Sequence, residues 1–183
     1  LAQAQPGVYY ALGMLAPGLS MALQTVGQRA VHIATLPLAS RDGSIRIAAI
    51  DHRRQEDARR VTWSGPARAR VSLNAAATKD LAREANGDVQ LALTLRVDSA
   101  PKGEVAASVA CGEGCGAALP MRESLASLPI GQWTTLGIPL KCFAIAGADL
   151  SKLSGLLTIE TDAPLQLSFS RIALSPQGGA ERT

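Results

Sequence analysis

Large apolar residues alternate with polar residues or alanine along the whole of residues 88–98. The apolar positions of this run are Val89, Leu91, Leu93, Leu95 and Val97. A period of two predicts a β-strand with one buried face and one face that carries polar groups, as in an antiparallel sheet. Asn86-Gly87 precedes the run and predicts a turn into the strand.

A second alternating run contains Leu165, Leu167 and Phe169 on one face, after which the apolar phase moves to Ile172 and Leu174. Since one extra residue in a strand shifts the phase of all that follow, the pattern predicts a β-bulge near Arg171. Phe169 is in phase with the leucines, so we expect its ring in the core.

Shorter apolar runs complete a chain of about eleven strands, and most of the remainder is turn. These runs are residues 9–14, 19–26, 30–36, 44–51, 58–64, 68–73, 104–110, 134–140 and 155–161. Turn signals such as Asp42-Gly43 separate them at intervals typical of sandwiches. We predict an all-β fold, an antiparallel β-sandwich of jelly-roll type, with short helices at residues 78–84 and 121–128.

The length of 183 residues fits one domain with a sizeable core. We expect a linker or arm at residues 1–7, a β-sandwich at 8–175 and a flexible polar tail at 176–183. Because the chain begins with Leu1 rather than Met, we expect a fragment or a processed product. No run approaches the roughly 20 apolar residues of a membrane-spanning helix, so such a helix is excluded.

The formal net charge of +3 does not come from a basic face. The arginines are dispersed apart from two pairs, Arg53-Arg54 and Arg59-Arg60, which flank Glu56 and Asp57 and are locally neutralised by them. A nucleic-acid surface needs clustered cations interleaved with aromatic residues. The sequence therefore argues against nucleic acid as a partner.

Three cysteines leave at least one thiol without a partner inside the chain. Cys111 and Cys115 enclose Gly112-Glu113-Gly114, and the flanking glycines favour a small-loop disulfide. A zinc site needs a second ligand pair, which is missing, and Cys142 is expected to be a small buried apolar residue. We predict no metal and no cofactor; a structural calcium ion stays open, although no Asp-rich loop marks a site.

Aromatic residues make up only 3% of the chain. Those considered for contact with carbohydrate or with another domain are Trp133, Trp63, Tyr9 and Tyr10. Trp63 shares the phase of Val61, which favours the core. Trp133 precedes a strand and lies at an exposed edge, in the core or in a domain interface, with the last two favoured. Tyr9 and Tyr10 are adjacent, so one of them should face outward on a strand. The sequence thus predicts no dedicated high-affinity sugar platform.

Acidic residues cluster near residue 55, but not in a catalytic pattern. Glycoside hydrolysis needs two facing carboxyl groups about 5–5.5 Å or 6.5–9.5 Å apart, and the neighbours Glu56 and Asp57 point to opposite faces of an extended stretch. We predict a structural motif in which carboxylates accept hydrogen bonds from arginines or turn amides; its members are Asp51, Gln55, Glu56, Asp57 and Arg59. Neither His32 nor His52 belongs to a catalytic motif, and His52 is expected to be solvated.

Three ordered phrases carry a family resemblance: Gln55-Glu56-Asp57-Ala58-Arg59 before Trp63, Cys111-Gly112-Glu113-Gly114-Cys115-Gly116, and Pro139-Leu140-Lys141-Cys142-Phe143. Together they resemble the C-terminal galactose-binding-like domain of bacterial glycoside hydrolase family 3 enzymes of the exo-1,3/1,4-β-glucanase or β-glucosidase type. The resemblance covers residues 45–174.

The resemblance implies a non-catalytic accessory domain, because the nucleophilic aspartate and the acid/base glutamate of that family lie in upstream domains. It implies the upstream catalytic domains of the same polypeptide as partners, β-glucan oligosaccharide as a ligand, and export to the periplasm or cell envelope, which would permit the disulfide. Two alternatives stay open, an autonomous carbohydrate-binding module for β-glucan and a free-standing small enzyme.

Overall fold

The structure is a computed structural model that describes residues 7–176. Two antiparallel sheets pack face to face, which confirms the all-β sandwich. Three short helices lie at their ends: α1 (Ala82–Asn86), α2 (Arg122–Ala126) and α3 (Leu140–Ile145). Except for Gly7 and Pro176, the expected N-terminal linker and C-terminal tail lie outside the described residues.

The first sheet, sheet A, is formed by six strands in one path and a hairpin at its side. The path runs β12 (Trp133–Pro139), β9 (Val89–Ser99), β14 (Leu165–Pro176), β7 (Ala58–Trp63), β6 (Ile45–Ile50) and β5 (Leu38–Ala39). The hairpin consists of β1 (Val8–Ala11), which pairs with the last part of β14, and β2 (Met14–Leu15).

The second sheet, sheet B, is a six-stranded path. Its order is β11 (Gly116–Pro120), β10 (Val105–Ala110), β13 (Leu153–Thr161), β8 (Ala69–Lys79), β3 (Leu19–Thr25) and β4 (Val31–His32). Consecutive strands such as β6 and β7 pair within one sheet, whereas the path from β7 to β8 crosses from sheet A to sheet B.

The core lies between the sheets and takes the alternate side chains that the sequence pattern marks as apolar. Leu91, Leu93, Leu95 and Val97 of β9 are all buried. Trp63 of β7 is 2% exposed, and its indole N–H donates a hydrogen bond of 3.0 Å to the carbonyl of Ala69 at the start of β8. A single side chain therefore fills the core and also bonds one sheet to the other.

The predicted bulge is present in β14. Phe169 pairs with Leu95 and Arg171 pairs with Thr94, so Ser170 is the extra residue. The shift returns Ile172 to the core, where it is 3% exposed.

A second bulge overturns the expectation for the tyrosines. Val8 pairs with Ala173 and Tyr10 with the adjacent Ile172, which makes Tyr9 an extra residue in β1. Bulged residues lose the regular in-out alternation, and both rings are buried, Tyr9 to 5% and Tyr10 to 0% exposure. The expectation that one of them faces outward is wrong.

Other departures from the predicted elements have local causes. The predicted helix at 78–84 begins only at Ala82, because β8 continues to Lys79. The segment 30–36 forms only the short β4, and β2, β5 and β11 were not predicted. Helix α3, also unpredicted, starts after Pro139 and buries Leu140 and Phe143, which lie three residues apart on one helix face.

Candidate functional site on the outer face of sheet A

A polar network lies on the outer face of sheet A and is centred on Asp98. Arg96 Nε donates to Asp98 Oδ1 and the Ser168 hydroxyl donates to Oδ2, each at 2.5 Å. Arg60 Nε lies 3.4 Å from Oδ2. Ser168 pairs with Arg96 of β9 on one side and with Arg60 of β7 on the other, so three adjacent strands bring the groups together.

Trp133 stands at the edge of the same network. It is the cross-strand partner of Arg96, whose guanidinium lies 5.2 Å from the centroid of the indole. The imidazole of His52 lies 4.1 Å from the Trp133 ring, tilted by 40°. The ring is half-buried and contacts both a cation and an imidazole, and His52 is half-buried against the indole rather than the solvated residue expected. We call Trp133, Arg96, Asp98, Ser168 and Arg60 the Trp133 face.

An open groove of about 480 Å³ continues this face across β14, β7, β6 and β5. Arg60, Arg46 and Thr62 line it, together with Gln166, whose amide donates a 3.0 Å hydrogen bond to the Thr62 hydroxyl. Hydrogen-bond donors and acceptors thus extend from Trp133 towards the far edge of the sheet.

The loop of residues 51–57 holds His52 in place. The Asp57 carboxylate accepts hydrogen bonds from the backbone N–H groups of His52, Arg53 and Arg54 at 2.7, 3.1 and 3.0 Å. Desolvation raises the pKa of Asp57, but these bonds favour the charged form and leave the pKa below its ordinary value. Asp51 accepts the N–H of Glu56 at 2.7 Å. The loop is therefore folded around two carboxylates.

The side chains of the other members of the predicted motif take no part in these hydrogen bonds. Gln55 and Glu56 are exposed. Arg59 is half-buried; its guanidinium lies 5.2 Å from the Tyr10 centroid and 3.4 Å from Met21 Sδ. Within residues 7–176, neither Glu56 nor Asp57 forms a direct ion pair with the two arginine pairs. Asp57 bonds backbone amides instead, and Arg60 lies beside Asp98.

Burial removes three of the four aromatic candidates from any surface contact. Trp63, Tyr9 and Tyr10 are each at most 5% exposed. The pKa of Tyr9 is raised to about 12, mainly by burial and in addition by nearby Glu84. The pKa of Tyr10 is also raised to about 12, mainly by burial; Arg59 lowers it and Asp57 raises it. Only Trp133 is left for contact with a ligand or another domain.

Cys111 and Cys115 form a disulfide in the turn between β10 and β11, at the edge of sheet B. Cys142 is a free, half-buried thiol on α3 rather than a fully buried residue. Across residues 7–176, no three His, Cys, Asp or Glu side chains lie together as a metal site. In the same part of the chain, no helix is long and apolar enough to cross a membrane.

Residues 20–174 match the family Exop_C, described as galactose-binding domain-like. The chain belongs to this family. The match confirms the family resemblance found in the sequence. No curated protein sequence is detectably similar to the chain.

Solved structures share the galactose-binding-like fold over nearly the whole chain. The extra C-terminal domain of exo-1,3/1,4-β-glucanase ExoP from a Pseudoalteromonas species is 22% identical with a TM-score of 0.75, covering 96% of this chain and 95% of that one. Complete ExoP is 23% identical with a TM-score of 0.75; 98% of this chain matches, spanning 21% of ExoP.

A third structure is a carbohydrate-binding module. The family 30 module of a cellulosomal cellulase of Clostridium thermocellum is 13% identical, with a TM-score of 0.63 and coverage of 94% of this chain and 98% of that one. At these identities the three structures establish the fold.

The Asp98 network was missed in the sequence, although a signal for it was present. Arg96 and Asp98 occupy alternate polar positions of β9, so they share one face. Ser168 and Arg60 lie at equivalent outward positions of β14 and β7. What the sequence did not provide was the order of the strands, which decides that these positions are neighbours.

Proposed function

We propose that this chain is the non-catalytic accessory β-sandwich of a glycoside hydrolase, of the family 3 exo-β-glucan hydrolase or β-glucosidase type. It packs on the catalytic domains of the same polypeptide and contributes to recognition of β-glucan. The observation that carries the proposal is the family assignment, together with a fold shared end to end with an extra C-terminal domain.

The chemistry of the described surface supports a non-catalytic role. Asp98 accepts hydrogen bonds from Arg96 and Ser168 and lies beside Arg60. Glu160 near the end of β13 and Asp162 just after it are both paired with Arg68. Carboxylates held in this way serve as structural anchors rather than as the facing acid pair of a hydrolase.

The test is activity on aryl-β-glucosides. We expect no turnover by this chain alone, and turnover by the polypeptide that its reading frame encodes upstream. A preparation of this chain that hydrolyses the substrate by itself, and keeps doing so after further purification, would overturn the proposal.

A second candidate function, autonomous binding of β-glucan, is favoured by the Trp133 face. Indole rings stack on the apolar face of a pyranose, and neighbouring donors and acceptors bond its hydroxyls. His52 and Arg96 already contact the ring. We therefore expect weak binding, with a Kd on the order of 1 mM, because one half-covered ring supplies little surplus over the cost of association.

Titration of the chain with mixed-linkage β-glucan oligosaccharides, followed by NMR, tests this second function. Trp133→Ala is expected to abolish the chemical-shift changes, whereas Thr158→Ala, on the outer face of sheet B, leaves them intact. Equal binding by both variants would remove the Trp133 face as the site. No shift changes at about 10 mM oligosaccharide would remove the function itself.

We also propose export to the periplasm or cell envelope, supported by the disulfide, since such bonds persist in oxidising compartments. Thiol labelling of the protein in its native cell is expected to modify Cys142 but not Cys111 or Cys115. Full labelling of all three would contradict export.

A further inference from the structure

The tip of the β1–β2 hairpin breaks two local rules at once. Leu12 and Gly13 form the two-residue turn, with φ angles of +53° and +79°. Turns of this kind favour Asn, Asp or Gly at the first position, because a branched side chain is strained there. Leu12 is also 64% exposed, and Met14 beside it is 71% exposed. Neither side chain is buried within the fold.

The tip is nevertheless held in one place. A Cβ atom at Gly13 would lie 2.5 Å from the carbonyl oxygen of Glu56, so the turn rests directly on the backbone of the 51–57 loop. Asp57 in turn fixes that loop through three backbone N–H groups. The 51–57 loop therefore holds the strained, apolar tip in a fixed position.

An open cleft of about 900 Å³ lies between the hairpin and this loop. We call it the hairpin cleft; Leu12, Met14, Arg53, Arg54 and Arg171 line it. All three arginines are exposed, and within the described residues 7–176 none of them has an ion-pair partner.

The nearby carboxylates offset these charges only in part. Asp57 lines the cleft and accepts backbone hydrogen bonds, but the three arginines outnumber it, and Asp51 and Glu56 lie outside the lining. The cleft thus combines two exposed aliphatic side chains with three unpaired cations. A neutral glucan offers neither an apolar pocket for the aliphatic side chains nor carboxylates for the arginines. A protein surface with an apolar depression and an acidic rim offers both.

We propose that the hairpin cleft is the surface by which this chain docks on the catalytic part of its own polypeptide, which supplies an apolar pocket for Leu12 and Met14 and carboxylates for the three arginines. The inference rests on the proposed function. Leu12 combines a positive φ angle with an exposed apolar side chain, and no contact inside the fold offsets either feature. Positions of this kind are often functional, and the offsetting contact here is with the catalytic part.

The test is association between this full chain and the catalytic part of the same reading frame, produced separately and mixed at low salt. Leu12→Asn with Met14→Asn is expected to weaken the Kd at least tenfold. Arg53→Glu with Arg54→Glu is expected to weaken binding to the same extent and to remove most of the dependence of the Kd on salt concentration. Leu12→Asn alone should raise the thermal midpoint of the chain, because Asn tolerates the left-handed turn. Weaker binding by this single variant, with the midpoint raised, therefore cannot be explained by misfolding.

Matched controls come from the β3–β4 connection, where Val26 is 44% exposed and Arg29 is exposed. Val26→Asn and Arg29→Glu are expected to leave the Kd within twofold of wild type. If the wild-type chain binds and the hairpin and arginine variants bind equally well, or if the controls weaken binding as much, the docking surface is elsewhere and the proposed function stands. If the wild-type chain does not bind at all, both are overturned.

Discussion

The outer faces of the two sheets differ, although both come from the same alternation of apolar and polar residues. One row across sheet A consists of Trp133, Arg96, Ser168, Arg60 and Ala48. The corresponding row across sheet B consists of His32, Ala22, Ser72, Thr158, Ser108 and Ala118. In these two rows, long polar side chains and an indole gather on sheet A and mostly small side chains on sheet B. The long polar side chains of sheet B lie in a neighbouring row, at Gln24, Arg70 and Glu160.

From this difference we expect sheet B to serve mainly as a support for sheet A. Small outward side chains complete a sandwich at low cost, since they leave little apolar surface exposed. The row on sheet A instead fixes an arginine and a carboxylate next to a half-covered tryptophan, and the 51–57 loop and the hairpin cleft adjoin it. The features that we propose for binding thus lie on or beside one face.

The largest expected effect on stability comes from removing Trp63, whose hydrogen bond joins the two sheets. Trp63→Ala removes a fully buried ring and the hydrogen bond from sheet A to Ala69 in sheet B. We expect the free energy of unfolding to fall by about 3–5 kcal/mol, from lost burial and the cavity left behind. Urea unfolding followed by circular dichroism measures it.

Trp63→Phe is the matched control for that change. It keeps most of the ring but leaves the Ala69 carbonyl without its donor, so we expect a smaller loss, about 1–3 kcal/mol. A loss below about 1 kcal/mol for Trp63→Ala would mean that the two sheets are held together elsewhere.

The sequence was informative where structure is local. The alternation of β9, the phase change near Arg171 and the Cys111–Cys115 pair follow from residues within one segment, and each has a counterpart in the structure. The prediction that one tyrosine faces outward was wrong, because the bulge in β1 is set by its pairing with β14, which is far away in the chain.

The candidate site was less predictable because it is assembled from distant segments. Trp133 was singled out, but its contact with His52 joins residues that are 81 positions apart, by subtraction of their numbers. The Asp98 network depends on β14 lying between β9 and β7. No local pattern encodes that order, although the outward positions of each strand were visible.

A smaller effect, confined to sheet A, is expected from Asp57→Asn. The substitution replaces a carboxylate that accepts three backbone hydrogen bonds with a neutral amide. We therefore expect the variant to be less stable than wild type at neutral pH. Since the pKa of Asp57 is lowered in the folded state, its contribution is complete above the unfolded-state pKa of about 3.9 and is lost as the pH falls through the folded pKa.

Thermal midpoints of both proteins between pH 2 and 7 test this expectation. Asp42 and Asp149 also have lowered pKa values, chiefly through the hydroxyls of Thr25 and Ser151, but they act equally in both proteins. The difference in midpoint should therefore shrink below about pH 4. The indole N–H resonance of Trp133 should move in the variant while that of Trp63 does not; an unchanged Trp133 signal would show that Asp57 does not position His52.

The smallest effect is expected on sheet B, where Arg70 and Glu160 form a 3.3 Å ion pair beside Arg68. A double-mutant cycle of Arg70→Ala and Glu160→Gln should give a coupling energy of about 0.2–1 kcal/mol, because the pair is partly exposed to water and salt screens it. Neither variant should change binding of β-glucan or of the catalytic part. A larger coupling, or a loss of binding with stability intact, would show that sheet B is more than a support, and the contrast between the two faces would no longer hold.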